Sequence, residues 1–433
     1  MRILVLGINY RPEETGIAVF NTGRCEYLAA KGHDVTMVTG FPYYPRWRVA
    51  PEYRGRLLAR ESRNGVEIRR SWLYVPRRVT TLRRVLHEAS FVASATLRAA
   101  LGPRPDLLLT VSPPLGLALS SVLLGHVWGI PYVFHVPDLQ PDAAVDLGML
   151  PSGRVVRLLY AIERLAYRRA ALVSTLTHAM QQRIIDKGIP PSRVTLFPDW
   201  ADPALFTLPA AGGGAEARRQ FDLGERVVVL HAGNMGVKQG LDVVLEAAAR
   251  TRDRADIVYL LVGDGAARPA LEARAAEVRL PNLRFLPLQP DPVFRDLLAA
   301  ADLTLVTQQA VVADIVFPSK VLTLLAAAKP VVASLNASSE VARVIVEARA
   351  GLVTPAEDGA ALADAVRALR DDPERRSQMA TEGRVYARAH WDRTLMLADM
   401  ERALSAVVAE DPRAARLATT TTPGRPIGGV RAP

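Results

Sequence analysis

VVVLHAGNMGVKQG, residues 227–240, is the stretch that decides the fold. Its apolar, β-branched start predicts a buried strand over 227–231. A glycine-rich loop follows directly, and a helix is predicted to begin near Gln239. A strand that passes through a short glycine loop into a helix is the repeating unit of parallel sheets covered by helices.

The same unit repeats on both sides of this stretch. Upstream strands are predicted at 3–6, 35–39, 107–111, 132–135, 172–174 and 194–197, and downstream strands at 257–263, 283–287, 303–307, 331–334 and 352–353. Prolines and glycines break the periodicity between the two series. We therefore predict an α/β protein with two Rossmann-like, doubly wound domains that face each other across a cleft.

The predicted domain boundaries follow from these breaks. The first domain covers residues 1–200, a linker 201–215, and the second domain 216–385. C-terminal helices over 386–410 are expected to pack back on the first domain. The proline-rich and threonine-rich residues 411–433 are expected to form a disordered tail.

Composition favours a globular enzyme, with 49% hydrophobic and 23% charged residues. The single Cys25 cannot form an internal disulfide, and the first residues resemble a strand and not a signal peptide. The apolar stretch 107–136 is cut by prolines and a glycine, so no membrane span is expected there. We expect a cytoplasmic protein.

Positive charge is concentrated in one segment. Residues 46–104 contain fourteen arginines and four glutamates, an excess that equals the net charge of +10 of the whole chain. Interleaved aromatic residues such as Trp47 and Trp72 suit an anionic lipid surface, so we predict peripheral attachment to the inner face of the cell membrane. Nucleic acid would attract the same charges but is not expected, and a plain arginine-rich surface is the remaining alternative.

Two loops are candidate phosphate sites. In the 233–240 loop, Gly233 and Asn234 offer backbone N–H groups and Lys238 a positive charge, although a surface turn would look the same. The stretch 317–320 opens a helix, where the charge of Lys320 is unfavourable unless an anion lies nearby. A solvated lysine is the alternative there.

Further candidates lie at other strand ends. Thr15 and Gly16 begin the first helix and would point into the cleft. His135 and Asp138 follow a strand and could position or deprotonate a hydroxyl, although a lone histidine is more often structural. A turn is the favoured interpretation of the stretch 263–265. Neither a Cys-x-x-Cys nor an Asp-x-Asp motif occurs in the chain, so no metal is expected.

Taken in order, four stretches resemble the retaining glycosyltransferases of family 4, and the resemblance spans about residues 1–409. They are residues 6–16, 135–148, 233–241 and 317–334. The branch that looks most similar includes colanic-acid and O-antigen fucosyl- or N-acetylfucosaminyl-transferases. The resemblance implies a GT-B fold, a UDP- or GDP-sugar donor on the second domain, an acceptor on the first, and no metal or other cofactor.

The resemblance also assigns roles to residues. It implies that Lys238, Lys320 and the backbone near 318–319 hold the diphosphate, with Gly16 opposite and His135 touching the transferred sugar. The predicted catalytic residues are His135, Lys238 and Asp138. The predicted substrate-binding residues are Thr15, Gly16, Gly233, Asn234, Lys238, Gly263, Asp264, Pro287, Asp314, Phe317, Pro318, Ser319, Lys320, Thr323 and Glu340.

The chain departs from the family pattern at three positions. Where relatives often carry two glutamates eight positions apart, it has Ile315 and Thr323, with Asp314 as the candidate substitute for the first. Asn234 stands where an arginine is frequent. These differences put ribose recognition and one phosphate contact in question.

The function expected from the sequence is transfer of a sugar from a nucleoside diphosphate onto a lipid-linked or oligosaccharide acceptor in cell-surface polysaccharide biosynthesis. A GT-B sugar-nucleotide epimerase and a non-enzymatic two-lobed sugar-binding protein are the alternatives. A nicotinamide dehydrogenase fits less well, because the first turn lacks Gly-x-Gly-x-x-Gly.

Overall fold

A computed structural model describes residues 1–146, 153–311 and 319–410. It contains two sheets, of eight and six strands, each with helices packed on it. The predicted tail 411–433 lies outside the described residues. The predicted α/β class with two Rossmann-like domains is confirmed.

The first domain begins with a parallel βα unit and ends at residue 196. Its elements are β1 (Arg2–Leu6), α1 (Ile17–Ala30), β2 (Asp34–Gly40), β3 (Leu58–Arg63), β4 (Val66–Ser71), α2 (Thr81–Ala100), β5 (Leu107–Val111), α3 (Leu117–Trp128), β6 (Tyr132–Val136), α4 (Gln140–Asp146), α5 (Arg154–Arg169), β7 (Leu172–Thr175), α6 (His178–Asp186) and β8 (Val194–Leu196). The strand order is β3-β4-β2-β1-β5-β6-β7-β8.

The second domain repeats the pattern with six parallel strands. Its elements are α7 (Ala215–Gln220), β9 (Val227–Ala232), α8 (Asp242–Arg250), β10 (Ile257–Val262), α9 (Arg268–Glu277), β11 (Leu283–Leu286), α10 (Asp291–Ala300), β12 (Leu303–Thr307), α11 (Lys320–Ala326), β13 (Val331–Ser334), α12 (Glu340–Glu347), β14 (Gly351–Thr354) and α13 (Gly359–Asp371). The order is β11-β10-β9-β12-β13-β14.

The central strands are largely apolar and buried along their whole length because helices cover both faces of each sheet. Every residue of β5, β6 and β10 is buried. Because burial makes these strands into largely apolar runs, their positions could be predicted from the sequence pattern.

The sequence analysis does not predict the hairpin of β3 and β4, because it considers only the charge and the aromatic residues of this segment. Strand β3 pairs antiparallel with β4, and Arg63 lies opposite Val66 across the two-residue turn Asn64-Gly65. Both turn residues have positive φ, 47° and 80°, as a type I′ turn requires. The Asn-Gly pair was the sequence signal for this hairpin.

The chain crosses between the two domains twice, and the two crossings lie side by side. The predicted linker is not a free spacer, since Ala201 and Leu205 are buried in the core of the second domain. Two final helices, α14 (Pro373–Trp391) and α15 (Arg393–Ala409), return along the same route. Helix α14 packs on α11, whereas Leu397 and Met400 of α15 join the first-domain core.

Candidate functional site

A cleft of about 300 Å³ lies at the carboxyl ends of the first-domain strands. Three of the predicted residues, Thr15, Gly16 and Asp138, line it from the first domain, and Ser319 lines it from the second. Residues from both domains therefore meet at one cavity, as the position of ligands in open α/β sheets leads us to expect.

Gly16 forms the tight approach to helix α1. It takes φ 61° and ψ −146° immediately before the helix, a conformation that favours glycine. A Cβ atom here would lie 4.0 Å from Tyr44 and meet nothing closer. Backbone geometry, and not crowding, explains the glycine.

Glu13 holds the loop that carries the aromatic wall of the cleft, and the sequence analysis missed it. Its buried carboxylate accepts backbone N–H bonds from Tyr43 and Tyr44, both at 2.8 Å, and a bond from Asn9 Nδ2 at 2.9 Å. Burial raises the pKa of Glu13, and the two backbone bonds oppose that shift. Glu13 thus ties this loop to the turn that leads to Gly16.

Aromatic rings form the first-domain side of the cleft. Tyr43 packs on His87 with ring centroids 4.6 Å apart, and Trp47 packs on His87 at 5.1 Å. His87 Nδ1 donates to the backbone oxygen of Tyr74 at 2.6 Å. Tyr43, Tyr44 and Trp47 line the cleft, and the contact of Trp47 with a lipid surface stays a prediction. An aromatic wall suits an apolar sugar face.

Acidic groups lie at the floor of the cleft beside a buried arginine. Asp199 accepts from Arg24 at 2.7 Å, and burial nevertheless raises the pKa of Asp199 to about 6. Burial also raises the pKa of Asp138, while the charge of Lys238 in the second domain lowers it. Asp138 and Lys238 therefore interact across the two domains. The sequence analysis assigns no role to Asp199.

His135 lies below the cleft wall. Only 1% of it is exposed, and the cleft is lined instead by its neighbours Pro137 and Asp138. Its Nδ1 is 3.0 Å from the Ser174 hydroxyl, and its Nε2 is buried without a hydrogen-bond partner among the described residues. Burial, with the nearby Arg24 charge, lowers the pKa of His135 well below its ordinary value. The ring is neutral, and its catalytic role stays a prediction.

The glycines of the second domain let two strand ends touch. Gly233 follows β9 with φ 131°, and Gly263 follows β10 with φ 139°. A Cβ on Gly263 would lie 1.9 Å from the backbone oxygen of Gly233. The backbone oxygen of Asp264 accepts from Met235 at 2.8 Å, which fixes the 233–240 loop. Gly263 and Asp264 thus shape this loop.

Lys320, the first residue of α11, is a buried cation beside this loop. Its Nζ is buried, lacks a hydrogen-bond partner in the described part of the chain, and would lie 4.0 Å from a Cβ on Gly233. Burial lowers the pKa of Lys320 to about 8. The alternative of a solvated lysine is therefore excluded. Burying an ammonium group without a partner costs free energy unless an anion binds beside it.

The other predicted residues are distributed differently. Asp314, Phe317 and Pro318 lie outside the described residues. Glu340 lines a second cavity of about 150 Å³, which shares Ser319 and Asp199 with the cleft. Asn234 and Pro287 are exposed, Thr323 is half-buried in α11, and none of the three lines either cavity.

The arginines of residues 46–104 do not form one free surface. Five of them pair with glutamates, namely Arg60, Arg63, Arg69, Arg70 and Arg84. Arg70 is buried, and its guanidinium also donates to the backbone oxygen of Arg11 at 2.6 Å. The exposed arginines of residues 46–104 that have no ion pair with a described residue include Arg77, Arg78 and Arg104. The excess of arginines over glutamates in residues 46–104 therefore overestimates the positively charged surface of this segment.

No helix in the described ranges is both long and apolar enough to span a bilayer. Likewise, no three histidine, cysteine or carboxylate side chains of residues 1–146, 153–311 and 319–410 cluster as a metal site would require.

Comparison with known proteins identifies the family. A "Glycosyl transferase 4-like domain" model matches residues 15–200, and a "Glycosyl transferases group 1" model matches residues 226–372. The chain is 37% identical over 350 residues to the putative colanic acid biosynthesis glycosyl transferase WcaI of Escherichia coli K12, which covers 79% of this chain and 86% of that protein. It is 27% identical over 275 residues to the probable glycosyltransferase WbjE of Pseudomonas aeruginosa, covering 63% and 67%.

Solved structures share the whole fold at low identity. HepE of Anabaena, crystallised with UDP, superposes with a TM-score of 0.70 at 18% identity, covering 94% of this chain and 100% of that one. WaaG, a glycosyltransferase of lipopolysaccharide biosynthesis, gives 0.64 at 19% identity, covering 94% and 99%. The two domains, the cleft and these matches together show that the chain belongs to the family 4 glycosyltransferases and has their GT-B fold.

Proposed function

We propose that this glycosyltransferase moves a sugar, with retained anomeric configuration and without a metal, from a UDP- or GDP-sugar onto a lipid-linked glycan of a cell-surface polysaccharide. The observation that carries the proposal is Lys320, whose buried ammonium lies beside the Gly233 loop and has no hydrogen-bond partner among the described residues. A diphosphate supplies the missing negative charge. The colanic-acid name of the E. coli relative and the UDP held by HepE support the substrate classes.

Leaving-group stabilisation accounts for the catalysis. The bond between the anomeric carbon and the β-phosphate oxygen breaks, and the acceptor oxygen bonds to the same carbon while its proton passes to the departing phosphate. Negative charge grows on the phosphate as this occurs, and Lys238, Lys320 and the loop amides counter it. Asp138 lies on the acceptor side, opposite Lys238.

The acceptor occupies the aromatic half of the cleft. Tyr43, Tyr44 and Trp47 offer ring faces to a sugar, and Arg84 and Glu88 offer polar contacts at the same wall. Because the acceptor is lipid-linked, the enzyme works as a peripheral protein at the inner face of the cell membrane.

A donor panel tests this function. Thermal unfolding is measured with a series of UDP- and GDP-sugars, where the correct donor at a hundred times its dissociation constant adds about 2.7 kcal/mol of stability. Lack of stabilisation by any nucleotide sugar would contradict the proposal. Product analysis without acceptor separates transfer from epimerisation, since only an epimerase converts the donor alone.

Lys238→Ala tests the mechanism. We expect turnover at saturating donor to fall about a hundredfold, because loss of one contact to the developing charge costs about 3 kcal/mol. The exposed Lys31 at the end of α1 provides the control, and Lys31→Ala should retain full turnover. Equal rates for the two variants would remove Lys238 from the mechanism.

A further inference from the structure

Helix α2 exposes apolar side chains where a surface helix normally exposes polar ones. It buries Phe91, Ala95 and Ala99 against the domain core. The opposite side carries a stripe of exposed apolar residues at helical spacing, Leu82, Leu86, Ala89, Ala93 and Leu97. Leu82 is 70% exposed and Leu97 is 62% exposed, so these side chains have no cover from the described chain.

The two helices beside α2 continue this surface. Helix α3 packs against α2, where Thr96 Oγ1 and Ser120 Oγ lie 2.6 Å apart, and α5 packs against α3. The exposed apolar residues of these two helices are Leu119, Leu123, Val127, Val155, Leu158 and Leu165. We call the outward apolar residues of α2, α3 and α5 the three-helix face.

The exposed charges that have no ion pair in the described chain are positive on the helices of the three-helix face. Its helices contain only two carboxylates, Glu88, paired with Arg84, and Glu163, paired with Lys187 and buried. Exposed arginines without ion pairs in the described chain surround the apolar residues, namely Arg77, Arg78, Arg83, Arg104, Arg154, Arg157, Arg164 and Arg168. An apolar surface bordered by cations, without a free carboxylate, complements an anionic lipid layer.

We propose that the three-helix face seats on an anionic bilayer, with its apolar side chains at the headgroup boundary and its arginines on lipid phosphates. This assignment deepens the proposed function by giving the membrane contact a definite surface, which differs from most of the arginine-rich segment. Helix α2 also carries Arg84 and His87, which line the cleft. The acceptor side of the cleft therefore opens beside the lipid surface, and a lipid-linked acceptor reaches it without leaving the bilayer.

Vesicle binding tests the proposal and needs neither donor nor acceptor. The protein is sedimented with phosphatidylcholine vesicles, with and without about 30% phosphatidylglycerol. We expect the wild type to bind the anionic vesicles at least tenfold better than the neutral ones. The double variant Leu97→Glu, Leu123→Glu should lose at least tenfold in binding. The matched control Val346→Glu, Val385→Glu alters second-domain residues 64% and 63% exposed and should bind like wild type.

A second readout does not depend on any variant. Hydrogen exchange of the wild type should slow in α2 and α3 when anionic vesicles are added, and in no helix of the second domain. Vesicle binding unchanged by the Leu97→Glu, Leu123→Glu pair would overturn the proposal. So would a wild-type dimer that this pair converts to a monomer in the absence of lipid, since the face would then bind a second copy. Vesicle binding without sugar transfer would instead count only against the proposed function.

Discussion

Two buried lysines of the second domain differ in what surrounds them. Burial lowers the pKa of both Lys320 and Lys329 to about 8. Lys329 Nζ lies 2.9 to 3.3 Å from four backbone oxygens, those of Pro209, Ala210, Ala299 and Ala301. Lys320 Nζ has no such partner in the described residues. Burial alone therefore does not predict a binding residue, whereas burial without a described partner does.

Replacing each lysine with methionine should separate stability from binding. Lys329→Met leaves several buried oxygens without a donor, so we expect the free energy of unfolding to fall by about 3 kcal/mol while donor affinity is kept. Lys320→Met removes a buried charge that has no partner in the described part of the chain, so stability should hold or rise. Its donor affinity should fall roughly thirtyfold, because a charge-assisted bond contributes about 2 kcal/mol.

Chemical denaturation and calorimetric donor titration measure these two quantities. The contrast between the lysines would be broken if Lys320→Met lost as much stability as Lys329→Met and bound donor normally.

Donor binding should weaken with rising pH. With a pKa of about 8, Lys320 is mostly protonated at pH 7 and mostly neutral at pH 9, so the donor dissociation constant should rise about tenfold between them. Stability of the unliganded protein changes in the opposite direction. The folded-state pKa lies below the ordinary value, so the cost of the buried charge is present below pH 8 and is relieved as the pH rises beyond it.

Titrations of donor into wild type and Lys320→Gln at several pH values check this. The variant should show no tenfold change between pH 7 and 9, and a wild-type affinity independent of pH would assign the donor to other cations.

The smallest effect is expected at Glu13, which holds the aromatic wall through hydrogen bonds to Tyr43 and Tyr44. Glu13→Gln keeps the shape, and its oxygen can still accept from Tyr43 and Tyr44, but its N–H₂ group replaces the oxygen that accepts from Asn9 Nδ2. We expect KM for the acceptor to rise about fivefold, or about 1 kcal/mol, with donor KM unchanged. Glu14→Gln changes an exposed neighbour and should have no effect. Steady-state kinetics with each substrate varied decides it, and an equal rise in donor KM would argue against a role confined to the acceptor.

The sequence predicted those parts of the molecule that local pattern controls. Strands such as β5 and β10 were found because each is a continuous apolar run between turn residues. The loop at Gly233 was found because its glycines follow a strand directly. These features depend on neighbours in the chain, and the structure places them where the pattern indicated.

Contacts between residues that are far apart in the chain could not be predicted from the sequence. Arg24 and Asp199 lie 175 residues apart and meet at 2.7 Å, and the bonds of Glu13 to Tyr43 and Tyr44 span thirty residues or more. Tyr43 becomes part of the cleft wall only through its packing on His87 of α2. Which arginines are free and which are paired likewise follows only from tertiary contacts.

The double crossing between the domains limits how the cleft can open. Ala201 N donates to the backbone oxygen of Trp391 at 3.0 Å, so the outgoing and returning chains are joined at one point. Tyr27 and His33 of the first domain both contact Glu401, which anchors the middle of α15. Two tethers joined at a single place favour rotation about that place over sliding, so we expect the two domains to open and close by a hinge rotation.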